Sequence, residues 1–428
     1  MPTPSLILVP ARFKTGKLYT PVATTSGGTV LGASGDFNVT RNTTATRVNA
    51  SGLIESVASG IPRLDYYTSG GTAGCPALLV EPSGSNLALQ SQDFSTTWGL
   101  VRINAFGSGS VANTTGTLDP YGTNLADYLQ ENTAVADTHR IQQNVAVVSG
   151  TTYTMSCFLK SAERFQAALF VPQGGVSRYV VFNLASGTAT ATNATGSIEN
   201  YGNGWYRGRA TFTATASGNV APALYLCDDS GNISYTGTGT KGIYAFGFQF
   251  EASPIATSYI PTTTAAVTRN ADVINVSGAV SGCIGQTEGT IYAEVDLRAF
   301  ASSAARRIVN MRVDGNNLLS LEVSTAGTSV DFVAVSGGSS VTTTASGITT
   351  GIYKIAVGYN SVANGTVLYV NGTLRDTRTI AIPNLSAAVF GYGTRADGAA
   401  GTQFGDRIRA VALYTTRLTD AQLQALTT

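Results

Sequence analysis

Polar and apolar residues alternate along much of this chain, and alternation is the pattern of a strand with one buried face. The clearest run is 152–159, which puts Tyr153, Met155, Cys157 and Leu159 on one side. Further strands are predicted at 141–148, 166–171, 179–184, 207–215, 223–227 and 243–250. Many short strands joined by Gly- and Asn-rich turns predict a two-sheet sandwich.

The last third of the chain repeats this pattern with a different layout. Its predicted strands are 289–297, 307–313, 320–323, 330–335, 352–359, 366–370 and 408–414. Asn371 and Gly372 between two of them predict a tight hairpin. After the last strand we expect a short helix that Thr419 caps and in which Leu423 and Leu426 share a face.

The first 85 residues give weaker signals. Short strand patterns such as 5–9 lie among Gly- and Thr-rich connections. We interpret this part as an extended, irregular region that gains its order from a partner surface, because it is too poor in apolar residues for a core of its own. The predicted fold is therefore all-β, with an N-terminal region (1–85) followed by two tandem jelly-roll sandwiches (86–270 and 271–428).

Several segments of the middle region resemble a known family. The turn and strand start 202–207, the strand 243–250 and the exit 256–262 with its Tyr-Ile-Pro sequence are similar to segments of head- and tail-fibre proteins of bacterial viruses. Within the first of them, we expect Trp205 to be packed rather than in contact with a ligand. Upstream segments resemble the same proteins in the same order: 36–41, 45–55, 60–66, 76–82 and 86–98.

The C-terminal region resembles laminin-G-like, or concanavalin-like, jelly rolls through its 369–372 hairpin and its final strand and helix. Together these resemblances imply a virion protein that is assembled in the host cytoplasm. They further imply a homotrimeric fibre or spike that attaches to other virion proteins through its N-terminal region. Binding of a host-surface polysaccharide during adsorption is the implied function.

Charge and composition exclude other classes. The net charge of +1 leaves no basic surface for nucleic acid, which requires clustered Lys and Arg. No stretch approaches the ~20 apolar residues that a membrane helix needs, so we predict no membrane insertion. The first four residues lack the basic start of a secretory signal.

The sequence offers little for catalysis. His139 is the single histidine of the chain, and no Gly-x-Ser-x-Gly motif or comparable nucleophile setting accompanies it. No pair of carboxylates is placed as in a glycosidase. We therefore predict that the protein is not an enzyme and needs no cofactor.

A calcium ion is one alternative at the loop that begins with Asp228 and Asp229. Together with Asn232 they could supply the oxygen ligands that calcium prefers. The other alternative is an ordinary Asx turn, for which the same residue types are typical. The loop 314–317 has a similar composition.

Aromatic side chains are the candidates for sugar binding, because rings stack on the apolar faces of sugars without requiring charge. The candidates are Trp98, Tyr128, Tyr179 and Tyr235, of which Tyr235 is expected to be the most exposed because it lies in a Gly-rich loop. The alternative for each ring is a place in a core.

Three functions remain in competition. The first is a virion fibre that binds host glycans, which the ordered resemblance favours. The second is a decoration protein of the capsid whose sandwiches are spacers. The third is a depolymerase of capsular polysaccharide, against which stands the lack of a repeat pattern typical of parallel β-helices.

Overall fold

The computed structural model of the 428-residue chain describes residues 1–67, 74–104, 117–298 and 304–428. These residues form many antiparallel strands and, in the described part of the chain, a single α-helix. The predicted all-β class is confirmed. None of the described helices has the length and apolar character needed to cross a membrane.

Short strands and one 3-10 turn (Gly32–Gly35) make up the N-terminal part. The strands are β1 (Leu6–Leu8), β2 (Phe13–Lys14), β3 (Lys17–Leu18), β4 (Val22–Ala23), β5 (Phe37–Thr40), β6 (Ala45–Val48), β7 (Ile54–Val57), β8 (Arg63–Asp65) and β9 (Ala77–Val80).

The middle part, here called the inserted sandwich, begins and ends with strands that pair with each other, β10 (Gly84–Asn86) and β25 (Val267–Arg269). Between them lie β11 (Gly99–Val101), β12 (Ile103–Asn104), β13 (Asp127–Glu131), β14 (His139–Gln142), β15 (Val145–Val147), β16 (Thr152–Ser161), β17 (Gln166–Gln173), β18 (Val176–Asn183), β19 (Thr188–Thr192), β20 (Thr195–Gly202), β21 (Trp205–Thr213), β22 (Gly218–Val220), β23 (Ala223–Leu226) and β24 (Gly242–Glu251).

The C-terminal part contains a 3-10 helix (Gly278–Cys283), further strands and the helix α1 (Asp420–Thr427). Its strands are β26 (Val273–Val276), β27 (Glu288–Leu297), β28 (Arg306–Arg312), β29 (Leu318–Val323), β30 (Ser329–Ser336), β31 (Ser339–Ser346), β32 (Gly351–Asn360), β33 (Thr366–Val370), β34 (Thr373–Arg378), β35 (Val389–Tyr392) and β36 (Asp406–Tyr414).

Two six-stranded sheets form the inserted sandwich. The front sheet has the order β11-β14-β23-β17-β18-β19, and the back sheet has the order β12-β13-β24-β16-β21-β20. Alternate residues of both sheets meet in one core, for example Leu169 and Leu224 from the front and Met155 and Phe250 from the back. The alternation read from the sequence at 152–159 thus corresponds to a real buried face.

The first 85 residues depart from the prediction, because they are neither extended nor separate. Strand β1 lies between β36 and β4, with Leu6 opposite Leu413, and β9 pairs with β36 farther along. Strand β5 joins the other sheet by pairing with β26. These strands complete two nine-stranded sheets, which we call the composite sandwich.

The prediction of an irregular region failed because partner strands were sought within the segment itself. Leu6, Leu8, Phe37 and Val80 are fully buried, but the residues that bury them come from the C-terminal part of the chain. The N-terminal segment therefore gains its order inside this molecule, and the middle part of the chain is inserted into the composite sandwich.

Local turn and helix predictions are confirmed at the C-terminal end. Val370 pairs with Thr373 across a two-residue turn at Asn371 and Gly372, both with positive φ. Thr419 caps α1 in a capping box, and the helix lies on the outer face of β32 and β33. The buried Leu423 anchors that contact.

A buried cluster of charges joins the two sandwiches. Arg63 binds both Glu81, at 2.6 Å, and Asp272. Arg41 lies 3.0 Å from Asp272, and Arg269 lies 3.5 Å from Glu81. Burial alone would raise the pKa of Glu81, but the two arginines near it hold that pKa well below its usual value.

The cluster draws on three parts of the chain. Arg41, Arg63 and Glu81 come from the N-terminal segment, Arg269 from the end of the inserted sandwich, and Asp272 from the start of the C-terminal part. Because all five side chains are buried, each charge depends on the others for compensation. The cluster therefore holds the entry and exit of the inserted sandwich to the composite sandwich.

One carboxyl group in the inserted sandwich is buried without such compensation. Asp127 Oδ2 accepts a hydrogen bond from the Phe94 N–H at 2.8 Å, and Oδ1 has no hydrogen-bond partner among the described residues. Burial raises the pKa of Asp127 to about 7, although the Phe94 N–H lowers it and the neighbouring Asp93 raises it further.

We expect Asp127→Asn to stabilise the protein at pH 8 but not at acidic pH. In the folded state Asp127 keeps its proton up to about pH 7, because its pKa is raised there. In the unfolded chain its pKa is about 3.9, so the proton is lost at a much lower pH. Wild-type stability therefore falls as pH rises from about 4 to about 7, and the variant lacks that loss. Urea unfolding should show a difference in unfolding free energy between variant and wild type that grows by about 2.5 kcal/mol from pH 5 to pH 8. An equal difference at both pH values would exclude Asp127 as its source.

Candidate functional site

A row of three rings and one guanidinium crosses four neighbouring strands on the outer face of the front sheet. Arg140 of β14 lies opposite Tyr225 of β23, and Phe170 of β17 lies opposite Tyr179 of β18. Strand β23 is next to β17, so the four side chains form one continuous band. We call this band the aromatic strip.

The rings of the strip touch each other in sequence. Phe170 is 4.7 Å from Tyr225, centroid to centroid, and 5.8 Å from Tyr179, with which it is stacked at 22°. The Arg140 guanidinium lies 5.3 Å from the centre of the Tyr225 ring. Contacts of this kind hold each ring in a fixed orientation.

The sequence builds this face by placing apolar residues on both sides of two central strands. Along β17, Leu169 points into the core, whereas Ala168 and Phe170 point outward. Along β23, Leu224 is in the core and Tyr225 points outward. A solvent-facing sheet normally carries polar residues at the outward positions, so the outward apolar cluster is a feature to be explained.

The two outer faces of the inserted sandwich differ in what packs against them. On the back sheet, Phe158 and Phe246 are packed under other parts of the chain, including Ile54 of β7 and Tyr259. On the front sheet, the apolar cluster consists of front-sheet residues and two residues outside its strands, Cys227 and Ile233. Its rings pack mainly against each other, so that Phe170 and Tyr225 are only 7% and 6% exposed and Tyr179 is half-buried.

Polar groups border the strip. Arg140 Nε donates to Gln142 at 2.8 Å, and Arg140 Nη1 donates to Thr138. At the other end, the edge strand β19 places Thr192 opposite Tyr179. Tyr179 itself is half-buried, so part of its side chain is accessible. Hydroxyl groups beside an accessible ring suit ligands that combine apolar faces with many hydroxyl groups.

Tyr235 was predicted to be exposed, and that prediction is wrong. Its side chain is only 7% exposed and lies between Arg164, at 4.9 Å, and His139, whose ring is 4.7 Å away. The Tyr235 hydroxyl donates to Glu131 at 2.7 Å, and Arg164 binds the same carboxylate through two nitrogens. This buried ion pair draws the ring inward despite the Gly-rich loop around it.

Trp98 lies in the core rather than on an outer face. It packs edge-on against Phe94 and Phe248 in the core of the inserted sandwich. Its Nε1–H donates to the Leu89 and Gln90 carbonyl oxygens, each at 3.2 Å. The core alternative therefore holds for this ring.

The two remaining candidate rings lie on opposite sheets. Tyr128 is on the back sheet beside Tyr244, with centroids 5.3 Å apart, and its hydroxyl donates to Glu163. Tyr179 belongs to the aromatic strip. The structure therefore brings Tyr179 together with Phe170 and Tyr225, which the sequence analysis did not propose as site residues.

The Asp228 loop forms an Asx turn. The Asp228 carboxylate accepts hydrogen bonds from the backbone of Ser230 and from Asn232 through both its backbone and its side chain. Asp229 points elsewhere, 2.9 Å from Arg164 and 3.5 Å from Lys241. In the described part of the chain, no group of three or more His, Cys, Asp or Glu side chains is placed to hold a metal. Calcium binding at this loop stays a prediction.

His139 is a packed side chain of the inserted sandwich. Its Nδ1 lies 3.0 Å from the Arg102 carbonyl oxygen, and its ring packs against Tyr235 at an interplanar angle of 43°. Gly237 lies against the other ring nitrogen so closely that a Cβ there would be 3.0 Å from Nε2. These contacts give His139 a structural role.

The strip could have been recognised from the sequence by one signal. Strands β17 and β23 are apolar at consecutive positions, which is typical of strands covered on both faces. In a sandwich each strand faces the core on one side, so the second apolar face needs a separate explanation.

Comparisons with known proteins do not assign this chain to a family. No family model matches this chain, and no curated protein matches it. Some solved structures are similar to part of this chain. One is the carbohydrate-binding module of the Ruminococcus gnavus IT-sialidase bound to α2,3-sialyllactose, with 19% identity over 35% of this chain and 88% of that chain, at a TM-score of 0.31.

Two others have similar scores. Domain 4 of an extracellular arabinanase from Geobacillus stearothermophilus, in complex with arabinotriose, is 16% identical over 41% of this chain and 82% of that chain, at a TM-score of 0.30. The binding domain of botulinum neurotoxin DC, in complex with SialylT, is 15% identical over 36% and 39%, at a TM-score of 0.29.

Proposed function

We propose that this protein is a structural virion component of a bacteriophage, a head or tail fibre or spike, that binds host-surface glycans through the aromatic strip. The observation that carries the glycan part is the half-buried Tyr179 on the outer face of the front sheet, where Phe170 and Tyr225, only 7% and 6% exposed, pack beside it and continue the row toward Arg140. An aromatic ring with an accessible part offers an apolar surface to the C–H face of a sugar.

The size of the strip favours an oligosaccharide over a single sugar. It crosses four neighbouring strands, and three strand spacings of ~4.8 Å give a length of about 14 Å. Its rings are already held by one another, so little side-chain entropy is lost when a ligand binds. We assign no catalytic step to the site, since it consists of rings, hydroxyls and one guanidinium.

The virion part of the proposal rests on the sequence resemblance between residues 36 and 269. Attachment to other virion proteins is assigned to exposed residues of the N-terminal segment, such as Val9 and Val30. The fibre is proposed to be a homotrimer that is assembled in the host cytoplasm. Cryo-electron microscopy of the particle tests location and oligomeric state together, and a particle without density for this chain would refute the virion role.

Incubation with purified host polysaccharide tests the glycan part. We expect the full chain to bind the polysaccharide reversibly and to leave its chain length unchanged, because the strip contains no acid/base pair. Shortened chains would favour the depolymerase. The decoration protein would be favoured instead if the chain bound nothing on a broad glycan array and if capsids lost stability without it.

A further inference from the structure

Arg140 is the one charged member of the aromatic strip, and its charge is not compensated within the sandwich. Its two hydrogen-bond acceptors, Gln142 and Thr138, are neutral. Across the described ranges, no carboxylate oxygen lies within 4.0 Å of its guanidinium. Three other arginines of the inserted sandwich have carboxylate partners, namely Arg102 with Asp137, Arg164 with Glu131 and Arg209 with Glu199. Arg178 and Arg207 bind neutral acceptors as Arg140 does, but both are buried, whereas Arg140 is half-buried.

The guanidinium is held in a defined position. Its contact with the Tyr225 ring fixes its height above the sheet, and the bonds to Gln142 and Thr138 fix its rotation. An arginine carries five N–H donors, of which these two bonds use two. Three donors therefore remain at the end of the strip on a half-buried, preoriented cation.

This arrangement matches a planar anion. A carboxylate accepts two parallel hydrogen bonds from a guanidinium, and such charge-assisted pairs are stronger than neutral hydrogen bonds. The apolar rings beside Arg140 exclude water from one side of the pair, which strengthens the attraction. A ligand that lies along the rings thus meets Arg140 at its end.

We propose that the strip selects acidic glycans and that Arg140 binds a sugar carboxylate, as found in hexuronic or other sugar acids; this inference rests on the proposed glycan-binding function. Tyr179 supplies affinity for a sugar ring, Phe170 and Tyr225 hold Tyr179 and Arg140 in place, and Arg140 supplies the preference for charge. Phosphorylated or sulfated sugars are the competing source of negative charge.

A glycan array tests this selectivity on the full chain. The array carries carboxylate-bearing oligosaccharides, their methyl esters, and phosphorylated and sulfated oligosaccharides. We expect the wild type to bind the acids at least about tenfold more tightly than the esters, since charge-assisted hydrogen bonds are worth about 1.5–3 kcal/mol. Arg140→Gln should bind acid and ester equally, and Arg140→Lys should retain only part of the preference.

A matched control is Arg375→Gln, which removes the same charge from an exposed side chain on β34 of the composite sandwich. It should bind as the wild type does. Thermal unfolding of each variant shows whether it is folded, and the lysine variant keeps the test valid if the glutamine variant is not.

Each outcome decides between the two proposals. Equal binding of acids and esters, with both lost in Tyr179→Ala, would leave the glycan function standing and overturn the acidic selectivity. Binding confined to phosphorylated or sulfated sugars would overturn the carboxylate assignment. If the wild type binds no glycan, the proposed function itself fails.

Discussion

Replacement of Arg63 by methionine is expected to lower the free energy of unfolding by about 3–5 kcal/mol. Arg63 is fully buried and binds both Glu81 and Asp272, so its removal leaves two buried carboxylates with weaker compensation. Arg269 then remains 3.5 Å from Glu81, and Arg41 remains 3.0 Å from Asp272. Methionine is close in size, so the loss measures charge rather than a cavity.

Chemical denaturation of the full chain checks this expectation. Arg47→Met is the control, since Arg47 pairs with Glu55 at 2.7 Å but both side chains are partly exposed. That variant should lose no more than about 1 kcal/mol. If both variants lost the same small amount, the buried cluster would not be what joins the two sandwiches.

Removal of residues 1–10 is expected to destabilise the composite sandwich by more than about 5 kcal/mol. The truncation deletes β1, whose Leu6 and Leu8 are fully buried and whose backbone pairs with both β36 and β4. Its loss detaches the two-residue edge strand β4 and leaves β36 without the partner along which β1 paired with it.

The yield of soluble protein and its thermal unfolding measure this effect. A chain without residues 1–3, which are exposed and precede β1, should behave as the full chain does. If the chain without residues 1–10 were as stable as the full chain, the first 85 residues would again be interpreted as a separate attachment region.

Features that depend on near neighbours in the sequence were predictable. The alternation at 152–159, the turn at Asn371 and the cap at Thr419 each involve contacts within a few residues. The pairing of Leu6 with Leu413 was not predictable in this way, because nothing in a three-residue strand specifies a partner about 400 residues away. The all-β class followed from local patterns, whereas the composite sandwich did not.

The candidate site shows the same division. Tyr235 was judged by its Gly-rich surroundings, but the buried Glu131 and Arg164 that hold it are distant in sequence. Phe170 and Tyr225 lie within the apolar segments 166–171 and 223–227, which do not by themselves show which face of a strand is turned to the core. Only pairing across the front sheet shows that these two rings point away from the core.

The measurement that tests the glycan-binding strip most directly is titration of Tyr179→Ala with the glycan that the wild type binds. Loss of one stacking ring should weaken binding about tenfold, or by about 1.4 kcal/mol, with the fold unchanged because Tyr179 is only half-buried. Tyr128→Ala, which removes a half-buried tyrosine from the back sheet, should bind as the wild type does. Unchanged affinity in Tyr179→Ala, with loss in Tyr128→Ala, would contradict a site on the front sheet.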